Sequence, residues 1–209
     1  MEPVSGVVLA GGASHRLGFD KALLTLPNGR PLLLDMVEKV AAVCHEVFVV
    51  TDAPDRFKDL DLPARLIRDR LPGQGPLEGI HTALEAIATE HALVIACDMP
   101  FLNTALLRYM VTVDRHYEAL VPVQGQRWHT LHAIYARSCL LAIEALLAQG
   151  GQEVRGLLPR VRLEPLTMKE WKELDPEGLS FFNLNRPVDL RAAQGIWRRD
   201  QPHQRATSA

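Results

Sequence analysis

The chain has 209 residues, a formal net charge of −2, and 47% apolar against 23% charged residues. That balance excludes a disordered, collagen-like or coiled-coil chain. With no basic excess, neither a nucleic-acid backbone nor an anionic membrane surface is an expected partner.

Three scattered cysteines, Cys44, Cys97 and Cys139, with no Cys-x-x-Cys pair, read as reduced thiols of a cytoplasmic protein. The opening Met-Glu-Pro-Val carries no basic-then-apolar leader pattern, and no apolar run approaches the roughly 20 residues of a membrane span.

Short runs rich in Val and Ile alternate with longer stretches of helical period. Val7 to Ala10 reads as a buried strand that ends in the Gly11-Gly12 turn. Leu33, Met36, Val37, Val40 and Cys44 mark an amphipathic helix begun near Pro31. Val47 to Thr51 is a second strand and Arg65 to Arg68 a weaker third. Ile80, Ala83, Leu84 and Ile87 give another helical stripe. Leu93 to Ala96 is the next strand. A helix from about Asn103 to Val113 and a strand from Ala119 to Val123 follow. His132 to Tyr135 and Val161 to Leu166 are further strand candidates. Ser138 to Gln149 is a helix closed by Gly150-Gly151, and Pro187 to Arg198 a last helix. The alternation predicts βαβ units: a single Rossmann-like α/β domain, three layers around a mainly parallel sheet. The domain is expected to span residues 1–199, with 200–209 as a polar tail.

The loop after the first strand carries the strongest chemical signal. In parallel α/β sheets, ligands sit at the carboxyl ends of the strands. A glycine pair there lets backbone N–H groups approach an anion closely. Ser14 adds a hydroxyl, and Arg16 and Lys21 add full charges. The spacing is neither Gly-x-Gly-x-x-Gly nor that of a P-loop. The alternative is an ordinary tight turn with solvated basic residues.

Asp98 closes the strand at Leu93 to Ala96 and projects from its carboxyl end, where a hard oxygen ligand suits Mg²⁺; Asn103 is better placed than Asp98 to cap the following helix. Asp69 follows the weak third strand onto the same edge, unless Arg68 or Arg70 pairs with it at a surface turn. Gly75 and Gly79 flank a helix start, where close approach and the helix dipole favour an anion.

The segment Leu9-Ala10-Gly11-Gly12-x-Ser14-x-Arg16-x-Gly18-x-Asp20-Lys21-Ala22-Leu23-Leu24 resembles the signature loop of the molybdenum cofactor guanylyltransferase family. Three more segments resemble that family in the same order: Gly75-Pro76-Leu77-x-Gly79-Ile80, Cys97-Asp98-Met99-Pro100-Phe101-Leu102 and Asn183-x-Asn185-x-Pro187-x-Asp189-Leu190. Two positions depart from the pattern. Leu17 stands where the family usually has Met, and Arg186 where it often has Thr, either near the second substrate or facing solvent.

The resemblance implies an enzyme that transfers GMP from GTP to the terminal phosphate of molybdopterin cofactor and releases pyrophosphate. It implies Mg²⁺ on Asp98, with Arg16 and Lys21 countering phosphate charge. Leu9, Ala10, Gly11, Gly12, Ser14, Lys21, Thr51, Asp69, Gly75, Gly79 and Asp98 would line the nucleotide site, with Asp52 beside Thr51. His132, Asn183 and Asn185 would face the second substrate, His132 having also a structural reading. Other molybdenum-cofactor handling proteins are candidate partners. The rivals are cytidylyl transfer to the same cofactor, or a non-catalytic nucleotide- or cofactor-binding protein. His129 and His132 lack the further Cys or His of a metal site, and His81 is expected to be solvated.

Overall fold

The computed structural model describes residues 2–11, 20–71 and 73–200, with Asp200 described by its backbone. Eight strands among the described residues form one sheet: β1 (Val4–Leu9), β2 (Glu46–Thr51), β3 (Arg65–Arg68), β4 (His91–Ala96), β5 (Ala119–Gln124), β6 (Arg127–Trp128), β7 (His132–Ala136) and β8 (Leu163–Leu166). The path runs β3-β2-β1-β4-β7-β5-β6, and β8 pairs with β5. β1 is parallel to both β2 and β4, β2 is parallel to β3, and β5 is parallel to β8. β7 enters between β4 and β5 antiparallel to both, so the sheet is mixed but mostly parallel. The chain pattern could mark β7 as a strand. Its direction depends on the sharp return through Gly125, which sits at φ +59° before β6.

Alternating strand residues build two apolar clusters, one on each face. Val8, Val49, Ile95 and Ile134 pack under α1 (Leu32–Ala41) and α3 (Thr104–Thr112). Val7, Val50, Val94 and Tyr135 pack under α2 (Pro76–Ala86) and α4 (Leu140–Ala148). That is the expected three-layer arrangement. Asn103 caps α3 by accepting from the amides of Ala105 at 2.9 Å and Leu106 at 3.2 Å. Gly150, at φ +77°, closes α4, and the Gly150 and Gly151 amides bond back to Leu147 and Leu146.

The last third packs onto the first face through Leu166, Trp171, Phe181, Leu184 and Ala193. These come from β8, a single helical turn α5 (Met168–Trp171), the connection after it, and α6 (Pro187–Asp200). Asp200 therefore ends a helix rather than opening the tail, and residues 201–209 lie outside the described ones.

β1 and α1 meet unusually closely at Gly6. A Cβ there would collide with Val40 Cγ1 and stand 3.3 Å from Cys44 Cβ. Both neighbours are held within a packed layer. Gly6→Ala should therefore destabilise the fold by about 1–3 kcal/mol through overpacking, read as a lower denaturant midpoint at unchanged slope. Equal midpoints would show that α1 can move away at no cost.

Candidate active site

The sheet order places the fold's switch point beside β1: the chain leaves β1 toward β2 on one side, while β4 lies on the other. Loops at the carboxyl ends of these strands diverge and leave a crevice, the general ligand position of such sheets. A cleft of about 410 Å³ lies there, lined in part by Leu9, Ala10, Gly11, Asp69 and Asp98. Lys21, Gly75 and Gly79 also line it, so eight of the expected nucleotide-site residues share one wall-to-wall cavity. Gly12, Ser14 and Arg16 lie outside the described residues.

Two glycines serve the cleft by geometry. Gly75 holds φ +81° before Pro76 starts α2, and a Cβ there would come within 3.1 Å of Gln152. Gly79 lets α2 approach β1, since its Cβ would stand 3.3 Å from Leu9 Cδ2.

On the β4 side, Asp98 and Lys21 face each other at 3.7 Å, each side chain 16% exposed. Lys21 Nζ also donates to Asn185 Oδ1 at 2.9 Å, and Asn183 Nδ2 donates to Asp98 Oδ1 at 3.1 Å. The alternation of the Asn-Leu-Asn segment therefore aims both amides at the charged pair. Leu184 between them is buried, and its amide bonds the Asp98 carbonyl at 2.8 Å. Burial pushes the Asp98 carboxyl above its ordinary value, while the Lys21 charge and the Asn183 amide pull it back. Cys97 beside it has its thiol pushed up to about 12, mainly by burial, so at neutral pH it is no nucleophile.

On the opposite wall, Asp69 receives no ion pair from its neighbours. Arg68 turns to the Asp52 carbonyl at 2.8 Å, and Arg70 to Glu85 at 2.6 Å. Burial raises the Asp69 carboxyl, opposed by the Leu71 amide and the Thr82 hydroxyl.

Four of the expected site residues do not line the cleft: Asn183 and Asn185 reach it through Asp98 and Lys21, and Thr51 and His132 are turned away from it. Thr51 is fully buried; its hydroxyl accepts from the Ala53 amide at 3.2 Å, and it is Asp52, one residue on, that lines the cavity. Strand alternation turns Thr51 inward. His132 is also fully buried, edge-on to Phe181 with ring centroids 5.0 Å apart, so it takes the structural reading. His81, expected in solvent, is 2% exposed and reaches Glu144 on α4 at 3.3 Å. Arg186 faces solvent, with its side chain 69% exposed. Sequence reasoning missed Asp20 and Arg56 on the cleft wall. Asp20 stood inside the signature loop, whereas Arg56 has no motif around it.

Among the described residues no group of three or more His, Cys, Asp or Glu side chains could hold a metal ion. Any divalent cation at Asp98 would need substrate oxygens and water to complete its shell. No helix among the described residues is long and apolar enough to cross a membrane.

A switch-point cleft lined by Gly11, Lys21 and the strand-end Asp98 defines an α/β protein with its ligand site at the carboxyl edge of the sheet. The chain belongs to the MobA-like NTP transferase family, whose domain model matches residues 6–164, and is thus a nucleotidyltransferase. It is 39% identical over 93% of both chains to a probable molybdenum cofactor guanylyltransferase of Pelotomaculum thermopropionicum. It is 31% identical to the molybdenum cofactor guanylyltransferase of Desulfosudis oleivorans, covering 93% of this chain and 96% of that one. The crystal structure of molybdopterin-guanine dinucleotide biosynthesis protein A from Archaeoglobus fulgidus superimposes with a TM-score of 0.81 at 28% identity, covering 94% of this chain and all of that one.

The buried histidines have a consequence for acid stability. Burial lowers His129, stacked 4.0 Å from Phe181, to about 4, and His132 to about 3. In the unfolded chain both titrate near pH 6.5. Lowered histidines leave the fold at full stability above that pH and reduce it as pH falls from there toward the folded values, because in that window only the unfolded chain takes up the protons. Unfolding free energy should therefore drop between pH 6 and 4 with a slope of up to about 2.7 kcal/mol per pH unit from the two groups. His129→Gln should halve it. An unchanged slope in that variant would place the proton uptake elsewhere.

Proposed function

We propose that the enzyme transfers GMP from GTP to the terminal phosphate of molybdopterin, releasing pyrophosphate. The observation that carries this reading is the Lys21–Asp98 pair at the carboxyl edge of the sheet, within a chain whose similarity to guanylyltransferases runs nearly end to end.

The attacking group is a phosphate oxygen, already ionised near neutral pH. It forms a bond to the α-phosphorus of GTP while the bond to the β-phosphate oxygen breaks, and pyrophosphate leaves with the electron pair. No proton has to be removed from the nucleophile, so no general base is required. What the reaction needs is alignment and charge neutralisation. In this reading the Gly11 turn orients the triphosphate and the Lys21 ammonium offsets charge growing on the leaving group. Arg16, assigned by resemblance, would add a second cation.

Asp98 would hold Mg²⁺. The donor set fits that ion, which takes one or two carboxylates and completes its shell with phosphates and water; when bound it would supply charge neutralisation on the phosphate oxygens. Asn183 fixes one Asp98 oxygen and Asn185 fixes Lys21, so the expected acceptor-side amides first serve to orient the reactive pair.

Guanine selectivity can rest on backbone groups at the end of β1 without a diagnostic side chain. The Ala10 amide is committed to the Val50 carbonyl and the Leu9 carbonyl already accepts from the Cys97 amide, so the Ala10 carbonyl and the Gly11 backbone are the groups that would meet its N–H donors and O6 acceptor. A site built for guanine leaves buried groups unpaired with cytosine or adenine, at about 1–3 kcal/mol each. Calorimetric titration with Mg²⁺ should show GTP tighter than CTP or ATP by roughly 30-fold or more, two unpaired groups being enough. CTP binding tightest would replace the guanylyl reading with the cytidylyl one.

Asp98→Asn should fold normally and lose most turnover; near wild-type rate at saturating Mg²⁺ would remove Asp98 from the metal. Lys21→Ala should cost roughly 2–4 kcal/mol of transition-state stabilisation. A change confined to the KM for GTP would make Lys21 a uniform binder rather than a leaving-group charge.

A further inference from the structure

Arg56 stands on the cleft wall with no role in the chemistry above. It lies on the single 3₁₀ turn Pro54–Phe57 that follows β2, and Phe57 anchors that turn in the core with no exposed surface. The guanidinium lies 5.1 Å from the Phe57 ring centroid, which limits its freedom to swing. Its Nε donates to Asp20 Oδ2 at 3.0 Å, Nη2 bonds the same oxygen, and Nη1 stands 3.5 Å from Asp52 Oδ1. The arginine thus ties the end of the signature loop to the opposite wall.

Asp20 spends its other oxygen locally. Oδ1 accepts from the Ala22 amide at 3.1 Å, and the Asp20 carbonyl accepts from the Leu23 amide at 3.2 Å. These bonds hold the 3₁₀ turn Lys21–Leu23, whose first residue sends its ammonium to Asp98 and Asn185. A continuous chain of contacts therefore runs from the buried Phe57 through Arg56 and Asp20 to the backbone that aims Lys21. A planar fork reaching two carboxylates suits this task better than a point charge.

We infer that Arg56 is a positioning residue for Lys21, acting through Asp20. The inference rests on the reading of Lys21 as a substrate-facing charge. It predicts that Arg56 matters to nucleotide handling only through the lysine.

Two measurements on the full-length protein test it. The first is amide hydrogen exchange at Ala22, Leu23 and Leu24 without nucleotide. Arg56→Ala should speed exchange there roughly tenfold, the low end for a lost hydrogen bond to a charged group because the pair is partly exposed. Arg56→Lys should fall between, and amides of β4 should be unchanged. The second is a double-mutant cycle on affinity for GTP with Mg²⁺. Arg56→Ala should weaken binding roughly tenfold alone, and by less than about twofold in a Lys21→Ala background.

Unchanged exchange at the turn would overturn the inference. So would equal losses in both backgrounds, which would make Arg56 a direct nucleotide contact. Acceleration spread equally over β4 would reduce its role to general stability and overturn it as well. If the wild-type protein bound no GTP, the guanylyl reading would fail, and the exchange experiment would still decide the positioning role.

Discussion

The site depends on holding two opposite charges together in a cleft as a largely buried ion pair, with neutral amides meeting the hydrogen-bonding groups that the pair leaves over. Lys21 and Asp98 are largely withdrawn from water yet stand 3.7 Å apart. Taking either charge out of water alone would be costly, and mutual attraction offsets that only where the remaining donors and acceptors find partners. The two asparagines meet that condition: one donates to the carboxylate, the other accepts from the ammonium. Because amides are neutral, they orient both groups without adding a charge of their own.

This arrangement draws residues from opposite ends of the chain, 164 positions apart for Lys21 and Asn185. It therefore depends on the docking of the last third. Leu184 is buried in the face that holds α1 and α3, and Trp171, Phe181 and Ala193 secure the elements on either side. The Asp189 carboxylate accepts from the amides of Asn185 and Arg186 at 3.0 and 2.8 Å, which fixes the backbone just before α6. Loss of that segment's packing would leave the Asp98 carboxylate without its amide partner.

The sheet supplies the other half of the frame. β1 lies between β2 and β4, all three parallel, so their carboxyl ends deliver Gly11, Asp52 and Asp98 to one edge. Close packing at Gly6 under α1 and at Gly79 over Leu9 brings a helix against each face of β1. The cleft thus has a cation-and-carboxylate wall at β4 and an acidic wall at β2 and β3, with Arg56 bridging from the second wall back to the loop that leads to Lys21.

The sequence by itself determined the alternation of strands and helices, because apolar period and capping residues are local properties. It also determined which residues gather at the strand ends: Gly11, Lys21, Asp69 and Asp98 are legible as neighbours because loops at that edge of a parallel sheet have one common destination. Tertiary structure decided what local pattern does not encode. Thr51 and His132 are polar residues beside a predicted site, yet the strand pleat turns Thr51 inward and the packing of Phe181 covers His132. His81 sits midway along α2, on a face that looks solvated until α4 covers it. Arg56 carries no sequence signal because its meaning comes from Asp20, a carboxylate 36 positions away that the fold brings to it beside the local Asp52. Burial and long-range pairing are properties of the assembled layers, so they become visible only when the layers are in place.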